Sequence, residues 1–191
     1  MKIPFKLFLV LYLFVGVVPN LEALDKVVTQ WFYLNFLNTI ALMFLVFREY
    51  PVRKFLSNRL SILFFCLLIW SALTALFSIN AIESIVVLSQ FFAIVIGFVI
   101  ILICISKIDN AFDFISNIIS IILIIELALI YSPFIFDFGT AKNLIFSRSS
   151  SFLGIAANVN ITAFSIIYKI PFVIYSLTLY KKFLLPYLLI I

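Results

Sequence analysis

The sequence predicts an all-α fold, a polytopic transmembrane helix bundle with about six complete helices and a truncated seventh, forming a single domain over residues 1–191. Three observations carry that expectation. Hydrophobic residues make up 66% of the chain and charged residues 11%, against roughly 45–50% and 25% in soluble domains. The mean hydropathy is +1.31. The charged residues also gather in short groups, and the apolar runs between them approach the ~20 residues a helix needs to cross a hydrocarbon core.

Composition also excludes function classes. The net charge is +5, but the basic residues stand in clusters between apolar runs, which reports topology and not nucleic-acid binding. The chain has no histidine, so the commonest general base is absent. Cys66 and Cys104 lie inside apolar runs and read as small buried hydrophobes, not as a disulfide or a metal site. No glycine-rich phosphate loop, close carboxylate pair or metal-ligand cluster is present, and no cofactor is implied.

The elements follow in order. Lys2 and Lys6 precede the apolar run Leu7–Val18, closed by Pro19; no small-x-small cleavage site follows it, so it reads as an uncleaved, short first helix over Pro4–Val18. Asn20–Gln30 is a polar connection. The second helix covers Trp31–Phe47, with Trp31 and Tyr33 as interfacial anchors. Pro51 and Ser57-Asn58 stop helices within the basic loop Arg48–Arg59. The third helix spans Leu60–Phe77, and Ser71, Thr74 and Ser78 share a face of the kind that meets other helices. A tight connection leads to the fourth helix, Ser84–Ser106, with Glu83 and Gln90 on one side. Asp109 or Asn110 is placed to cap the fifth helix, Ala111–Tyr131, which contains Glu126. The longest connection follows, from Ser132 to Gly154, with Phe134, Phe136 and Phe138 near its start. The sixth helix, Ile155–Tyr180, contains Pro171, which frees the carbonyl of Ile167. Phe183–Ile191 is a seventh apolar segment too short to cross. It reads as cut short within a longer chain, or as a half-helix at the interface.

Orientation follows from Lys and Arg. With the N-terminus in the cytoplasm, nine basic residues fall inside and three, Lys26, Lys142 and Arg148, outside. Polar chemistry is concentrated in Arg148–Pro171. Asn158, Thr162, Ser165 and Lys169 are spaced by four, three and four, hence on one helix face. That stripe either packs against neighbouring helices or lines a cavity. Lys169 has three candidate partners: Glu126 on the preceding helix, the carbonyl freed by Pro171, or the interface reached by snorkelling. Helical side chains lean toward the N-terminus, which on antiparallel helices carries Glu126 and Lys169 toward each other.

From Arg148 onward, RSSSFLGIAANVNITA followed by KIPF at Lys169–Phe172 resembles the segment that opens the middle of O-antigen ligases and related polymerases. Trp70–Ser84, WSALTALFSINAIES, is similar to a helix end in the same family. The resemblance implies a multi-pass glycosyltransferase of the bacterial inner membrane. Such an enzyme moves a glycan from an undecaprenyl-diphosphate donor to lipid A-core or a similar acceptor, with inversion and without a metal. The family's histidine, on a large periplasmic loop of the second half, has no counterpart here, so no catalytic residue is named and the chain alone is expected to be inactive. Substrate-binding candidates are Arg148, whose guanidinium meets phosphate through two donors, with Lys142 as a helper. Asn158 and Asn160 are further candidates, though the sequence favours cap and turn roles for them over ligand contacts. Beside the ligase stands a second reading, a transporter or flippase for lipid-linked glycans, since broken helices and buried charges also suit transport.

Overall fold

The computed structural model describes residues 3–18, 28–136 and 159–179. Every regular element among them is helical. α1 (Ile3–Leu13) runs into a 3-10 turn (Phe14–Val17); α2 (Val28–Phe47), α3 (Arg53–Leu56), α4 (Arg59–Ala75), α5 (Ala81–Ser106), α6 (Ala111–Phe136) and α7 (Val159–Leu179) follow. Backbone contacts divide the chain into two compact units, one of Met1–Val15 with Gln30–Asp109, the other of Gly16–Thr29 with Asn110–Ile191.

Among the described residues four helices are long and apolar enough to cross a membrane: Val28–Phe47, Ala81–Ser106, Ala111–Tyr131 and Asn160–Thr178. None has more than 39% of its most apolar window buried, so most of that apolar surface faces outward. Phe32, Phe36, Val86, Val87, Phe92 and Ile174 are all exposed, and in water so much apolar surface would drive association. Lipid is the solvent that suits it, and the protein is a membrane protein on these grounds.

The expectation of six complete helices is corrected. Among the described residues, Ile3–Val17 and Arg59–Ala75 are apolar but shorter. The 17 residues of α4 rise about 26 Å at 1.5 Å per residue, short of a ~30 Å core. Other boundaries shift as well. α2 begins at Val28, three residues before the expected Trp31. The basic loop contains the single turn α3, just after the proline that the sequence reading took only as a stop. α6 continues to Phe136, so positions 134 and 136 lie on helix and not in a loop. α7 passes through Pro171 without a break.

The ends of these helices are chemically closed. α2 finishes with Glu49 in the left-handed region (φ 49), and Tyr50 N donates back to Leu45 O at 3.0 Å. This is the six-to-one turn that more often uses glycine, and Pro51 then prevents continuation. Asn58 caps α4, its side chain accepting from Leu60 N. Asn110 takes φ 51 directly before α6, a conformation asparagine tolerates better than most residues.

In the first unit, α1, α2 and α5 meet at a buried polar clasp. Tyr12 OH donates to Asn38 Oδ1 at 2.7 Å. Asn38 Nδ2 donates to Ala93 O at 2.9 Å. Ala93 O lies four residues before Gly97 and is its acceptor in the helix ladder. Because position 97 has no side chain, that carbonyl stays open to a second donor. A Cβ there would stand 3.3 Å from Asn38 Oδ1 and 3.4 Å from Tyr12 Cε1.

The first unit is also polarised along its length. Phe5 packs on Phe44 and Tyr50 with ring centroids 5.8 and 5.7 Å apart. Lys107 Nζ lies 5.1 Å over the Tyr50 ring. Phe64 and Phe98 meet at 4.5 Å, which sets the start of α4 beside the end of α5. These contacts gather Lys6, Arg48, Arg53, Lys54, Arg59 and Lys107 at one end, with Glu49 and Asp109. The opposite end, among the described residues, carries Glu83 and no basic side chain.

The clasp gives a direct expectation. Tyr12→Phe removes one interhelical hydrogen bond and should cost about 0.6 kcal/mol, the average for such bonds in a membrane bundle. Gly97→Val should cost about 1–3 kcal/mol, because it forces the helices apart as well. Unfolding of the detergent-solubilised chain measures both; equal costs would show that the close approach contributes nothing of its own.

Candidate functional site

A groove of about 780 Å³ lies at the non-basic end of the first unit. α4 supplies Ser71, Thr74 and Ala75. The connection supplies Ser78 and Asn80. α5 supplies Glu83, Ser84, Gln90 and apolar neighbours, and Trp31 of α2 completes the wall. Local sequence explains the placement. Serine and threonine at 71, 74 and 78 recur at helical spacing, and a tight turn folds their face onto positions 83 and 90 of α5, which are seven apart.

The rim is held by a reciprocal cap. Asn80 Oδ1 accepts from Glu83 N at 3.3 Å, and Asn80 Nδ2 donates to Glu83 Oε2 at 3.0 Å. The two residues therefore satisfy the start of α5 in the manner of a capping box, with asparagine in the serine position. Ser84 Oγ donates to Ser78 Oγ at 2.5 Å, and Ser78 Oγ donates to Asn80 O at 3.1 Å. Ser78 is thus fixed between the turn and the helix.

Deeper in the groove the amide of Gln90 has no hydrogen-bond partner among the described residues. It lies seven residues beyond Glu83, about 10 Å along the axis at 1.5 Å per residue. The lining offers hydroxyls, two amides, one carboxylate and an indole. Among the described residues it contains no lysine, arginine or cysteine. Such a set can hold a ligand by hydrogen bonds and stacking; it supplies neither a cation for phosphate nor a nucleophile activated by a base.

The second unit carries the other polar cluster, a seam between α6 and α7. Tyr175 OH donates to Asp113 Oδ1 at 2.8 Å, and Ser176 Oγ donates to Asn117 Oδ1 at 3.0 Å. Phe112 packs edge-on against Tyr175 at 4.6 Å. Toward the other end, Lys169 Nζ lies 2.5 Å from Glu126 Oε1 and donates to Ser165 Oγ at 2.6 Å. Glu126 is buried, and its Oε2 has no partner among the described residues. A lone lysine at the centre of a membrane helix costs about 2.5–3.5 kcal/mol on insertion scales. The carboxylate opposite offsets that cost.

Of the residues singled out in the sequence, Glu126 and Lys169 come together in this seam. Thr162, Ser165 and Lys169 share the α7 face that meets α6, with Thr162 buried, so this part of the stripe packs against a neighbouring helix. Asn160 is exposed on the first turn of α7, beside a shallow, largely apolar concavity that also touches Ser165 and Lys169. Lys142, Arg148 and Asn158 lie outside the described residues. Sequence reasoning missed the Asn38 clasp; an asparagine amid an apolar helix was the available signal. It took Ser71, Thr74 and Ser78 for a helix contact, where they line the groove.

The seam makes its own prediction. Lys169→Met should destabilise the protein by about 3–5 kcal/mol by leaving Glu126 buried and unpaired. Glu126→Gln added to it should recover part of that loss. Strictly additive effects in a four-variant unfolding cycle would show that the two charges do not interact.

No protein-family model, curated protein or solved structure matches the chain.

Proposed function

We propose that the chain supplies membrane helices of a glycosyltransferase of the O-antigen-ligase type. Such a protein transfers a glycan from an undecaprenyl-diphosphate donor to lipid A-core or a similar acceptor at the outer face of the bacterial inner membrane. One observation carries this reading furthest. Trp70–Ser84, one of the two segments that resemble the family, contributes the Ser71–Ser84 part of the groove wall. The resemblance and this groove therefore fall on the same residues.

Topology supports the same reading. The six basic residues gathered at one end of the first unit are what a cytoplasmic end carries, and the groove lies at the other. With the N-terminus inside, the groove opens toward the periplasm, where lipid-linked glycans are presented. α1 and α4 complete a six-helix crossing pattern if the bilayer thins locally around them, at a modest cost per ångström.

In this scheme Arg148 binds the donor diphosphate, with Lys142 beside it. Leaving-group charge at a membrane surface calls for a fixed cation, and the groove itself offers none. The buried Glu126–Lys169 pair is the feature that favours the alternative, a transporter or flippase for lipid-linked glycans.

The test uses the complete protein with lipid-linked donor and acceptor. Arg148→Lys should lower the transfer rate, and Arg148→Ala should lower it about 100-fold, in the range measured for loss of one charge-stabilising donor, with membrane insertion unchanged. Parental transfer by Arg148→Ala would remove the assignment of that residue. Movement of donor lipid across vesicles without any transfer would favour the alternative.

A further inference from the structure

The groove walled by α4, α5 and Trp31 has a chemistry that identifies part of a ligand. We propose that it binds an uncharged sugar ring, held by Glu83 and Gln90 beside the Trp31 indole, and that it excludes phosphate. This rests on the glycan-handling reading above and names which portion of the donor the groove takes.

Four observations lead there. First, no lining residue among the described residues is cationic, whereas phosphate sites depend on arginine, lysine or an unoccupied helix N-terminus. Second, the N-terminus of α5 does point into the rim, but it is already satisfied. Asn80 Oδ1 holds Glu83 N, and the Glu83 carboxylate sits on the first turn. An incoming anion would meet that carboxylate. Third, the Glu83 carboxylate is engaged by Asn80 through Oε2, with no bond from the described residues to Oε1. A carboxylate oxygen fixed in this way accepts a sugar hydroxyl. Fourth, Gln90 is half-buried in a membrane-length helix with no protein partner for its amide. An amide left open in the groove can donate to one hydroxyl and accept from another.

Trp31 supplies the remaining element. Its indole lines the groove, and the indole N–H has no partner among the described residues. A flat apolar face with a polar edge suits the C–H face of a pyranose and its rim of hydroxyls. The volume of about 780 Å³ falls within the ~300–1,000 Å³ of small-molecule sites. Ser78 and Ser84 hold the rim before any ligand arrives, so little ordering is left to binding.

The test is a titration of the full chain in lipid nanodiscs, carrying Trp70→Phe so that Trp31 is the sole tryptophan. Two single-chain amphiphiles below their micellar concentrations serve as probes, octyl β-D-glucopyranoside and octyl phosphate; free glucose forms a third arm. The glucoside should change Trp31 emission saturably, at a concentration at least tenfold below any response to the phosphate. A response to free glucose at similar strength identifies a free-sugar site, and its absence a membrane-anchored one; both support a sugar ring. Glu83→Gln and Gln90→Leu should each weaken the glucoside response at least fivefold. Gln90→Leu should also leave the thermal midpoint unchanged or raised, since leucine suits lipid better than an unpaired amide, so lost binding is not lost folding. Equal or tighter binding of octyl phosphate, no saturable response to the glucoside, or full response in both variants would overturn the proposal. Transfer by the complete protein is scored separately. Parental transfer with Gln90→Leu and no glucoside response sinks the groove alone. Glucoside binding in a protein that transfers nothing sinks the transferase reading alone.

Discussion

A polar group placed in hydrocarbon has no water to bond with, and each must find a partner within the protein. That constraint arranges both units. In the first, the amide of Asn38 reaches Tyr12 on one side and the Ala93 carbonyl on the other, so one side chain fixes three helices. In the second, Glu126 and Lys169 neutralise each other, and Asp113, Asn117, Tyr175 and Ser176 continue the seam toward its far end. Apolar packing alone could not set these registers, because lipid tails are as apolar as the leucines they would replace.

The groove departs from that rule, and its interest lies there. Ser78, Asn80, Glu83 and Ser84 satisfy one another at the rim, whereas the amide of Gln90 and the indole N–H of Trp31 are left without protein partners among the described residues. Elsewhere among the described residues the hydroxyls of Thr29, Ser61 and Ser116 and Glu126 Oε2 are also buried without a partner, but none of them lines the groove. Unpaired donors in a concavity that faces away from the basic end are what a hydroxyl-rich ligand uses. The seam, by contrast, has spent its polar groups on holding α6 against α7.

Much of the helical layout was readable in the sequence because crossing a membrane sets a length, and apolar runs record it. Boundaries moved where local chemistry competes with that signal. α2 ends at Phe47 through the left-handed Glu49, ahead of Pro51, and a single helical turn starts at Arg53, two residues past the proline, with Val52 at its N-cap position. α4 looked like a full span because Leu76 and Phe77 are apolar, but the backbone leaves the helix after Ala75. The faces of the groove were visible as spacings, Ser71–Thr74–Ser78 and Glu83–Gln90. Their joint use with Trp31 was not, because it depends on how α2 lies against the α4–α5 pair. Asn38 itself stood out as an asparagine amid an apolar helix, but its partners did not: the register across three helices depends on the missing side chain at Gly97. Glu126 and Lys169 meet where the lean of helical side chains on antiparallel neighbours brings them, which is local geometry that a sequence does contain.

Everything functional in this reading depends on the groove end facing outward and the basic end facing the cytoplasm. Ile79 stands fully exposed in the turn at the groove end, and Asn58 stands exposed beside Arg59 at the basic end. Single cysteines at these two positions, in a Cys66→Ser, Cys104→Ser background, can be exposed to a membrane-impermeant maleimide in intact spheroplasts. Labelling of Ile79→Cys from outside, with Asn58→Cys labelled only after permeabilisation, is the expected result. Labelling of Asn58→Cys alone in intact spheroplasts would contradict it and place the groove on the side of the membrane where no exported glycan waits.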